Sequence, residues 1–372
     1  MSTPQTDVRS PFTDRPMLVF WETTKACLLA CRHCRATAQP QALPGQLDTQ
    51  EGLQLLRRIR AFGDPPPVIV FTGGDLVLRS DIFDLIAEAS RLGLHVAAAP
   101  AATPLLDRPM LQRLKDAGVQ SVSLSLDAPH EVHDDIRGVE GTYDLTLTAT
   151  RDALAVGLKV QMNTVVMRST LETLPEIASL LLKEGVPIWE VFFLIVTGRA
   201  GEADALAPPE QDDVCHFLLD ASRYDMLVRT VEAPFVRRVL RERQAGRDGG
   251  PLHLRLRHRL EELAGPPPGP VRMGARGTLD GDGILFVAHD GTISPGGFLP
   301  LDLGNVRSQD LVSIYREHPL LQQIRRREFT GRCGACDYRA VCGGSRARAY
   351  ASFGDPFASD PACPLAFAEL SQ

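Results

Sequence analysis

Three cysteines lie within one eight-residue stretch, CLLACRHC, at Cys27, Cys31 and Cys34. Their spacing lets one short loop aim all three thiolates at a single point. Soft thiolate ligands select zinc, copper or iron–sulfur clusters over magnesium or calcium. A closed zinc site needs a fourth ligand, which His33 could supply. A cubane iron–sulfur cluster held by three cysteines instead leaves one iron open for a further ligand.

A second cysteine group lies near the end of the chain, at Cys333, Cys336, Cys342 and Cys363. Four cysteines complete a site by themselves, so this group predicts either structural zinc or a fully ligated 4Fe-4S cluster. The spacing alone does not decide between them, because C-x2-C occurs in both. The remaining cysteine, Cys215, lies in an apolar helical stretch, and we expect it to be a buried, inert thiol.

The composition is that of a globular protein with room for two or three domains: 372 residues, of which 44% are hydrophobic. No apolar run reaches the ~20 residues of a membrane span or forms a signal peptide. We therefore expect a cytoplasmic protein that does not insert into a membrane. Clustered cysteines in that reducing compartment are typical of metal ligands or catalysts. The net charge of −6 argues against a nucleic-acid partner.

The elements that must position these residues alternate along the chain. β-branched runs predict seven strands, separated by amphipathic stretches such as those at 49–62 and 80–92. Repeated βα units imply right-handed crossovers and a parallel sheet. The predicted fold is therefore α/β, a partial (β/α)6 TIM-type barrel that falls short of the eight units of a closed one. The strand candidates begin at Met17, Val68, Leu94, Gln120, Leu158, Ile188 and Met226.

Ligands of such a barrel gather at the carboxyl ends of its strands. CLLACRHC follows the first predicted strand, and TGGD at 72–75 follows the second. A Pro/Gly-rich linker is predicted near 264–277, followed by a hairpin from Ile284 with Asp290 and Gly291 at its turn. The predicted organisation is an extension at 1–16, a barrel at 17–232, a helical bridge and linker at 233–275, and a small cysteine-rich domain at 276–372.

C-x3-C-x2-C after the first strand of a partial barrel resembles the radical S-adenosylmethionine (SAM) enzyme family. The resemblance implies that Cys27, Cys31 and Cys34 hold a catalytic 4Fe-4S cluster whose open iron chelates SAM. One electron from the reduced cluster then cleaves SAM to methionine and a 5′-deoxyadenosyl radical, which abstracts hydrogen from the substrate. It also implies an external electron donor such as flavodoxin or ferredoxin.

The same resemblance assigns SAM-binding roles to other positions. Thr72 to Asp75 resembles the family's GGE motif, which bonds the methionine amino group, although Asp75 is shorter than the usual Glu. Ser and Asn at strand ends also serve local hydrogen bonding, so that alternative stays open for Ser125 and Asn163, and a simple loop-packing role stays open for His33. The implied cofactor-binding residues are His33, Thr72, Gly73, Gly74, Asp75, Ser125, Arg137 and Asn163.

The C-terminal cysteine pattern, C-x2-C-x5-C with a distant fourth cysteine, resembles the twitch or SPASM-like extension of certain radical SAM enzymes. This implies that Cys333, Cys336, Cys342 and Cys363 hold a second, auxiliary 4Fe-4S cluster. The surrounding sequence resembles the subgroup that contains the anaerobic haem and haem d1 biosynthesis enzymes. One departure is Ser345, where many relatives read CGGC.

The leading functional hypothesis is a radical SAM enzyme that acts on a small molecule, with tetrapyrrole side-chain modification implied by the resemblance. Propionate side chains would need cationic partners, for which four arginines are available: Arg199, Arg237, Arg238 and Arg348. Glu232, at the end of the last predicted strand, is a candidate for substrate binding or proton handling.

Two alternatives remain open. The enzyme could modify a ribosomal peptide, a sugar or a nucleoside, although about sixteen residues before Met17 are too few for a peptide-docking domain. The cysteines could instead be structural ligands in a non-catalytic, zinc-binding interaction protein. That hypothesis does not explain the TGGD segment, nor why the first cluster contains three cysteines.

Overall fold

Parallel strands alternate with helices in the computed structural model, which describes residues 10–274 and 277–366. Some predicted segments fall outside this range: residues 1–9 of the extension, 275–276 at the linker, and 367–372 at the end of the cysteine-rich domain. Within the described part of the chain, no helix is long and apolar enough to cross a membrane.

All seven predicted strands are present, and the two predicted helices are confirmed as α1 and α2. The strands are β1 (Leu18–Glu22), β2 (Val68–Thr72), β3 (Val96–Ala98), β4 (Ser121–Ser125), β5 (Lys159–Val166), β6 (Ile188–Phe193) and β7 (Leu227–Val231). The helices are α1 (Thr49–Arg60), α2 (Ile82–Arg91), α3 (Arg108–Ala117), α4 (His130–Arg137), α5 (Thr142–Ala155), α6 (Leu174–Glu184), α7 (Pro208–Ala221), α8 (Val236–Gln244) and α9 (Pro251–Ala264).

The sheet confirms the partial barrel. Strands β1 to β7 lie side by side in chain order, and each pairs with the next in parallel. Parallel neighbours joined by helices bring all seven carboxyl ends to one edge. The CLLACRHC loop leaves that edge after β1, and TGGD leaves it after β2.

Helix α1 shows how the sequence fixes these elements. The Asp48 carboxylate accepts from the Glu51 N–H, and the Glu51 carboxylate accepts from the Asp48 N–H, which forms a capping box. Its apolar face buries Leu55 and Ile59 against the sheet, and each such side chain contributes roughly 1.5–3 kcal/mol. Gly52 allows close packing, since a Cβ there would lie 2.7 Å from Trp21 Cη2.

The remaining part of the chain extends the same sheet beyond β1. Its elements are β8 (Leu279–Asp280), β9 (Gly283–Val287), β10 (Thr292–Ser294), β11 (Gly304–Asn305), α10 (Leu311–Glu317), α11 (Pro319–Arg325), α12 (Gly331–Ala335) and α13 (Arg346–Phe353). The predicted hairpin is confirmed as β9 and β10, which are antiparallel, with Gly291 at positive φ in the turn. Strand β9 pairs in parallel with β1, so the C-terminal strands are continuous with the barrel.

Candidate functional site

The three-cysteine loop is held by backbone hydrogen bonds where β1 ends. Cys27 and Cys31 are buried, whereas Cys34 is partly exposed. The Cys27 N–H donates to the Gln39 carbonyl at 2.7 Å. The N–H groups of residues 30 and 32 donate to the carbonyls of residues 137 and 136, at the end of α4. The loop is therefore anchored on both sides.

Each sulfur of this loop has a hydrogen-bond donor. The Leu29 N–H lies 3.4 Å from Cys27 Sγ, and the Ala38 N–H lies 3.5 Å from Cys34 Sγ. The third donor is Arg137, whose Nη1 lies 3.8 Å from Cys31 Sγ. Such donors favour the thiolate form that metals and clusters bind. Burial raises the pKa of Cys27 to about 11, so ligation there must displace a proton.

An ion pair ties the exit of the loop to the C-terminal strands. Arg35 Nη2 donates to Glu22 Oε2 at 2.9 Å, and Arg35 Nη1 donates to the Gly297 carbonyl at 3.2 Å. The guanidinium also lies 4.7 Å from the centre of the Phe286 ring. Burial opposes ionisation of Glu22, but bonds from His289 and Arg35 hold its pKa below the ordinary value. The loop position thus depends on residues far away in the chain.

The TGGD segment packs against the cysteine loop. A Cβ on Gly73 would lie 2.5 Å from the Thr24 carbonyl oxygen, and one on Gly74 would lie 2.2 Å from that of Ala26. Glycine is therefore required at both positions, because the backbones approach too closely for any side chain. Thr72, Gly73 and Gly74 line the main cavity of the barrel.

Asp75 is not among the residues that line that cavity. It is fully buried, and its Oδ1 accepts hydrogen bonds from the N–H groups of Val77 at 3.4 Å and Ala101 at 3.2 Å. Burial raises the Asp75 pKa to about 6. Its carboxyl group therefore braces two loops of the site, whereas the glycines before it reach the cavity.

His33 and Arg137 meet at a buried carboxylate, Asp127. Arg137 Nη2 lies 2.6 Å from Asp127 Oδ2, and His33 Nε2 lies 3.9 Å from the same oxygen. Burial lowers the His33 pKa to about 4, so the imidazole is neutral. Both side chains line the cavity. Asp127 was not predicted from the sequence, although its position just after β4 is typical of a residue at the ligand-binding edge of the barrel.

A row of polar residues crosses the inside of the barrel. Ser125 on β4, Asn163 on β5 and Glu190 on β6 are register neighbours, and all three line the cavity. The Gln161 amide joins two of them, donating to Asn163 Oδ1 at 2.9 Å and to Glu190 Oε2 at 2.8 Å. Burial raises the pKa of Glu190. Glu190 and Gln161 were not predicted, because the hydrogen bond between them joins two neighbouring strands.

The main cavity has a volume of about 1250 Å³. The three cysteines line one part of it, and residues of α8 and the C-terminal segment line another. Of the four arginines that the sequence suggested for propionates, Arg199 and Arg237 line this cavity. Arg238 instead pairs with Asp212 and Glu242, and Arg348 pairs with Asp360.

The four C-terminal cysteines, Cys333, Cys336, Cys342 and Cys363, line one small cavity. Backbone N–H groups donate to three of their sulfurs at 3.3 to 3.4 Å. Arg346 Nη2 also lies 3.5 Å from Cys333 Sγ. Burial raises the pKa of Cys342 to about 12 and that of Cys363 to about 11. Cys215, by contrast, is fully buried on α7 and lines neither cavity.

Ser345 caps α13 and is not among the residues that line the small cavity. Its Oγ accepts from the Arg348 N–H at 2.9 Å and donates to the Glu232 carboxylate. Glu232 has a positive φ of 60° and faces the main cavity beside Asp280. Burial and their mutual repulsion raise the pKa of Asp280, and burial raises that of Glu232. Each of the two carboxyl groups therefore keeps its proton to a higher pH than an exposed carboxyl group does. Asp280 was not predicted.

Within residues 10–274 and 277–366, no three His, Cys, Asp or Glu side chains group closely enough to hold a single metal ion.

Comparison with known proteins relates the chain to characterised families. The Radical SAM superfamily pattern matches residues 21–181. The chain is 36% identical over 353 residues to the AdoMet-dependent heme synthase of Nitratidesulfovibrio vulgaris, covering 93% of this chain and 91% of that protein. It is 31% identical over 354 residues to the AdoMet-dependent heme synthase of Methanosarcina barkeri, covering 94% and 97%.

Among solved structures, the fold is similar to that of Streptococcus suis SuiB bound to the precursor peptide SuiA. The TM-score is 0.68 at 17% identity, covering 94% of this chain and 76% of that one. At this level of identity the likeness concerns the fold alone.

Proposed function

The chain belongs to the radical SAM superfamily, and from that premise we propose that it cleaves SAM to modify carboxylate-bearing side chains of a tetrapyrrole. The observation that carries this proposal is one cavity shared by the three-cysteine loop and a cationic end. Its volume of about 1250 Å³ exceeds the roughly 300–1,000 Å³ of ordinary small-molecule sites. SAM and a large second ligand can therefore occupy it together.

We propose that Cys27, Cys31 and Cys34 are the ligands of a 4Fe-4S cluster. When bound, that cluster supplies the electron that cleaves SAM to methionine and a 5′-deoxyadenosyl radical. The fit rests on three sulfurs, each with a hydrogen-bond donor, at the rim of the cavity. Hydrogen bonds to sulfur also tune the potential of such clusters.

We assign SAM binding to the residues that line the cavity beside this loop: His33, Thr72, Gly73, Gly74, Ser125, Arg137 and Asn163. The glycines allow the ligand to approach the backbone, and Arg137 carries a fixed positive charge beside Cys31. Asp75 stays in this proposed set. Its Oδ1 accepts from two backbone N–H groups, whereas its Oδ2 is buried without a hydrogen-bond partner among the described residues.

We propose that Cys333, Cys336, Cys342 and Cys363 hold a second 4Fe-4S cluster. Their shared small cavity and the N–H donors to sulfur support a cluster site. Two further predictions remain part of this proposal: an external electron donor such as flavodoxin or ferredoxin, and a cytoplasmic location.

The tetrapyrrole assignment is supported by the names of the two heme synthases to which the chain is similar over nearly its whole length. The arginines at one end of the cavity suit a ligand with several carboxylates. The experiment is to incubate the reconstituted enzyme anaerobically with SAM, a reductant and a propionate-bearing porphyrin. Mass spectrometry should show a porphyrin that has lost a carboxyl group and 5′-deoxyadenosine in an equal amount. SAM cleavage without any porphyrin product would refute the substrate class.

A further inference from the structure

Two arginines at the C-terminal end of the main cavity have little negative charge beside them. Arg237 lies on α8 and is 9% exposed, and the side chain of Arg327 is 15% exposed. Both line the cavity. Burial lowers the pKa of each guanidinium, so charge at this position has an energetic cost that a ligand can offset.

The hydrogen bonds of these arginines leave one cation incompletely paired. Arg237 donates only to carbonyls, those of Val341 at 2.9 Å and Thr278 at 3.3 Å. Arg327 Nη2 donates to Asp282 Oδ2 at 2.8 Å. Its Nη1 is buried and has no hydrogen-bond partner among the described residues. A buried N–H of a charged group without an acceptor is costly, and an anion would supply the acceptor.

The neighbouring charged residues do not neutralise the positive charge of Arg237 and Arg327. Arg346 is 1% exposed and donates to the carbonyls of residues 356 and 358 and to Cys333 Sγ. Neither Arg237 nor Arg346 forms an ion pair within the described part of the chain. Among the described residues, Asp282 is thus the one carboxylate in contact with these three guanidiniums. Asp360 is paired with Arg348, and Glu232 accepts a hydrogen bond from Ser345 Oγ.

The backbone is built to admit these side chains. A Cβ on Gly277 would lie 2.7 Å from Arg237 Nη2, and one on Gly343 would lie 3.2 Å from Arg327 Nη1. Arg327 itself adopts a φ of 57°, a conformation that long side chains rarely take and that clusters at functional sites. The chain therefore accepts local strain to hold the Arg327 guanidinium at the cavity wall.

We propose that Arg237 and Arg327 form a subsite that binds a carboxylate of the substrate, at the end of the main cavity nearest the second cysteine set. The inference rests on the tetrapyrrole substrate class proposed above. A tetrapyrrole with several carboxylates would be held here by one of them. Another carboxylate-bearing side chain would then extend toward the three-cysteine loop, where hydrogen is abstracted.

An alternative explanation is that these arginines only balance the negative charge of a second cluster. Arg237 donates to the Val341 carbonyl, and the next residue is Cys342. The two explanations differ in what removal of a guanidinium changes. A subsite residue alters affinity for a carboxylated ligand. A charge-balancing residue alters the reduction potential of the second cluster and leaves the affinity for that ligand unchanged.

The test titrates the anaerobically reconstituted enzyme with coproporphyrin III, which carries propionate side chains, and follows the porphyrin fluorescence. We expect Arg237→Gln and Arg327→Gln to weaken binding by roughly ten- to a hundred-fold, because each removes a charge-assisted hydrogen bond. Arg326→Gln is the matched control: Arg326 is exposed and pairs with Glu328, so affinity should change less than about twofold. The methyl ester of the porphyrin should bind the wild type weakly.

Iron content and the midpoint potential of the second cluster are measured on the same samples. Unchanged affinity in both variants, equal affinity for the ester, or no porphyrin binding at all would overturn the subsite. A shifted potential with unchanged affinity would assign the arginines to the cluster. If the Arg327→Gln variant does not bind iron, the porphyrin affinity of the Arg237→Gln variant alone tests the subsite. Porphyrin turnover with unchanged affinity in the variants would refute the subsite alone. Carboxylate-dependent binding without turnover would refute the proposed function alone.

Discussion

At the residue scale, spacing in the sequence was enough to find the thiols and glycines but not their partners. Three cysteines in one loop and two glycines after β2 are local patterns, and both groups line the same cavity. Glu190 and Asp280 could not be found in this way, because each acts through residues that are distant in the chain, whereas the place of Asp127 directly after β4 was a local signal. The resemblance also suggested that Asp75 contacts SAM, and this stays a prediction: its Oδ1 accepts from two backbone N–H groups, whereas its Oδ2 has no hydrogen-bond partner among the described residues.

Ser345 provides a test at this scale. Its hydroxyl caps α13 and bonds Glu232, and it does not line the small cavity of the four cysteines. We predict that Ser345→Cys leaves the iron and sulfide content unchanged, even though it restores the CGGC pattern of many relatives. Loss of the cap should lower the free energy of unfolding by about 1 kcal/mol. A changed iron content or an altered spectrum of the second cluster would show that position 345 reaches the cluster.

At the element scale, the periodicity of the sequence predicted seven strands and both helices that were singled out. It could not predict that β9 pairs with β1, because that contact joins residues more than 260 positions apart, as Leu18 and Ile284 show. The helical bridge depends equally on long-range contacts. Asp220 on α7 bonds Arg243 on α8 at 2.8 Å and His253 on α9 at 2.6 Å, so one carboxylate ties three helices together.

We predict that Asp220→Asn lowers the free energy of unfolding by about 2–3 kcal/mol at pH 7, because the substitution removes the negative charge and replaces one of the two acceptor oxygens by an NH2 donor. Although burial opposes it, the bonds from His253 and Arg243 hold the Asp220 pKa below 3.8. A lowered carboxyl pKa stabilises the fold fully above pH 3.8, and this contribution disappears as the pH falls through the folded-state pKa.

Denaturant titrations at several pH values check this prediction. The difference between wild type and Asp220→Asn should shrink below pH 4. The matched control is Asp225→Asn, which removes the partner of Arg272 at a side chain 96% exposed, and should cost less than ~1 kcal/mol. Equal effects of the two substitutions, or a difference that grows in acid, would contradict this account of the bridge.

At the scale of the whole molecule, the sequence suggested a separate C-terminal domain from residue 276, and that division stays a prediction. The structure gives it a physical test, because β9 to β11 continue the barrel sheet and Arg35 joins the cysteine loop to Gly297. We predict a single cooperative transition in anaerobic calorimetry of the reconstituted protein. Cys336→Ala should lower the midpoint of that one transition, because cluster binding contributes to folding, whereas Cys215→Ser should not change the iron content.

Two separated transitions, of which only one responds to Cys336→Ala, would instead indicate two independently folding domains. The continuity of the sheet across β1 would then carry little of the stability of the C-terminal segment.

The central claim is that the three-cysteine loop carries the cluster at which SAM is cleaved. The most direct measurement is the iron content and 5′-deoxyadenosine yield of anaerobic protein treated with dithionite and SAM, for wild type and a Cys27, Cys31 and Cys34 triple alanine variant. We predict about eight irons per wild-type chain, from two 4Fe-4S clusters, and the formation of 5′-deoxyadenosine. The variant should keep about four irons and form none. Zinc without iron in the wild type, or 5′-deoxyadenosine formation by the variant, would contradict the claim.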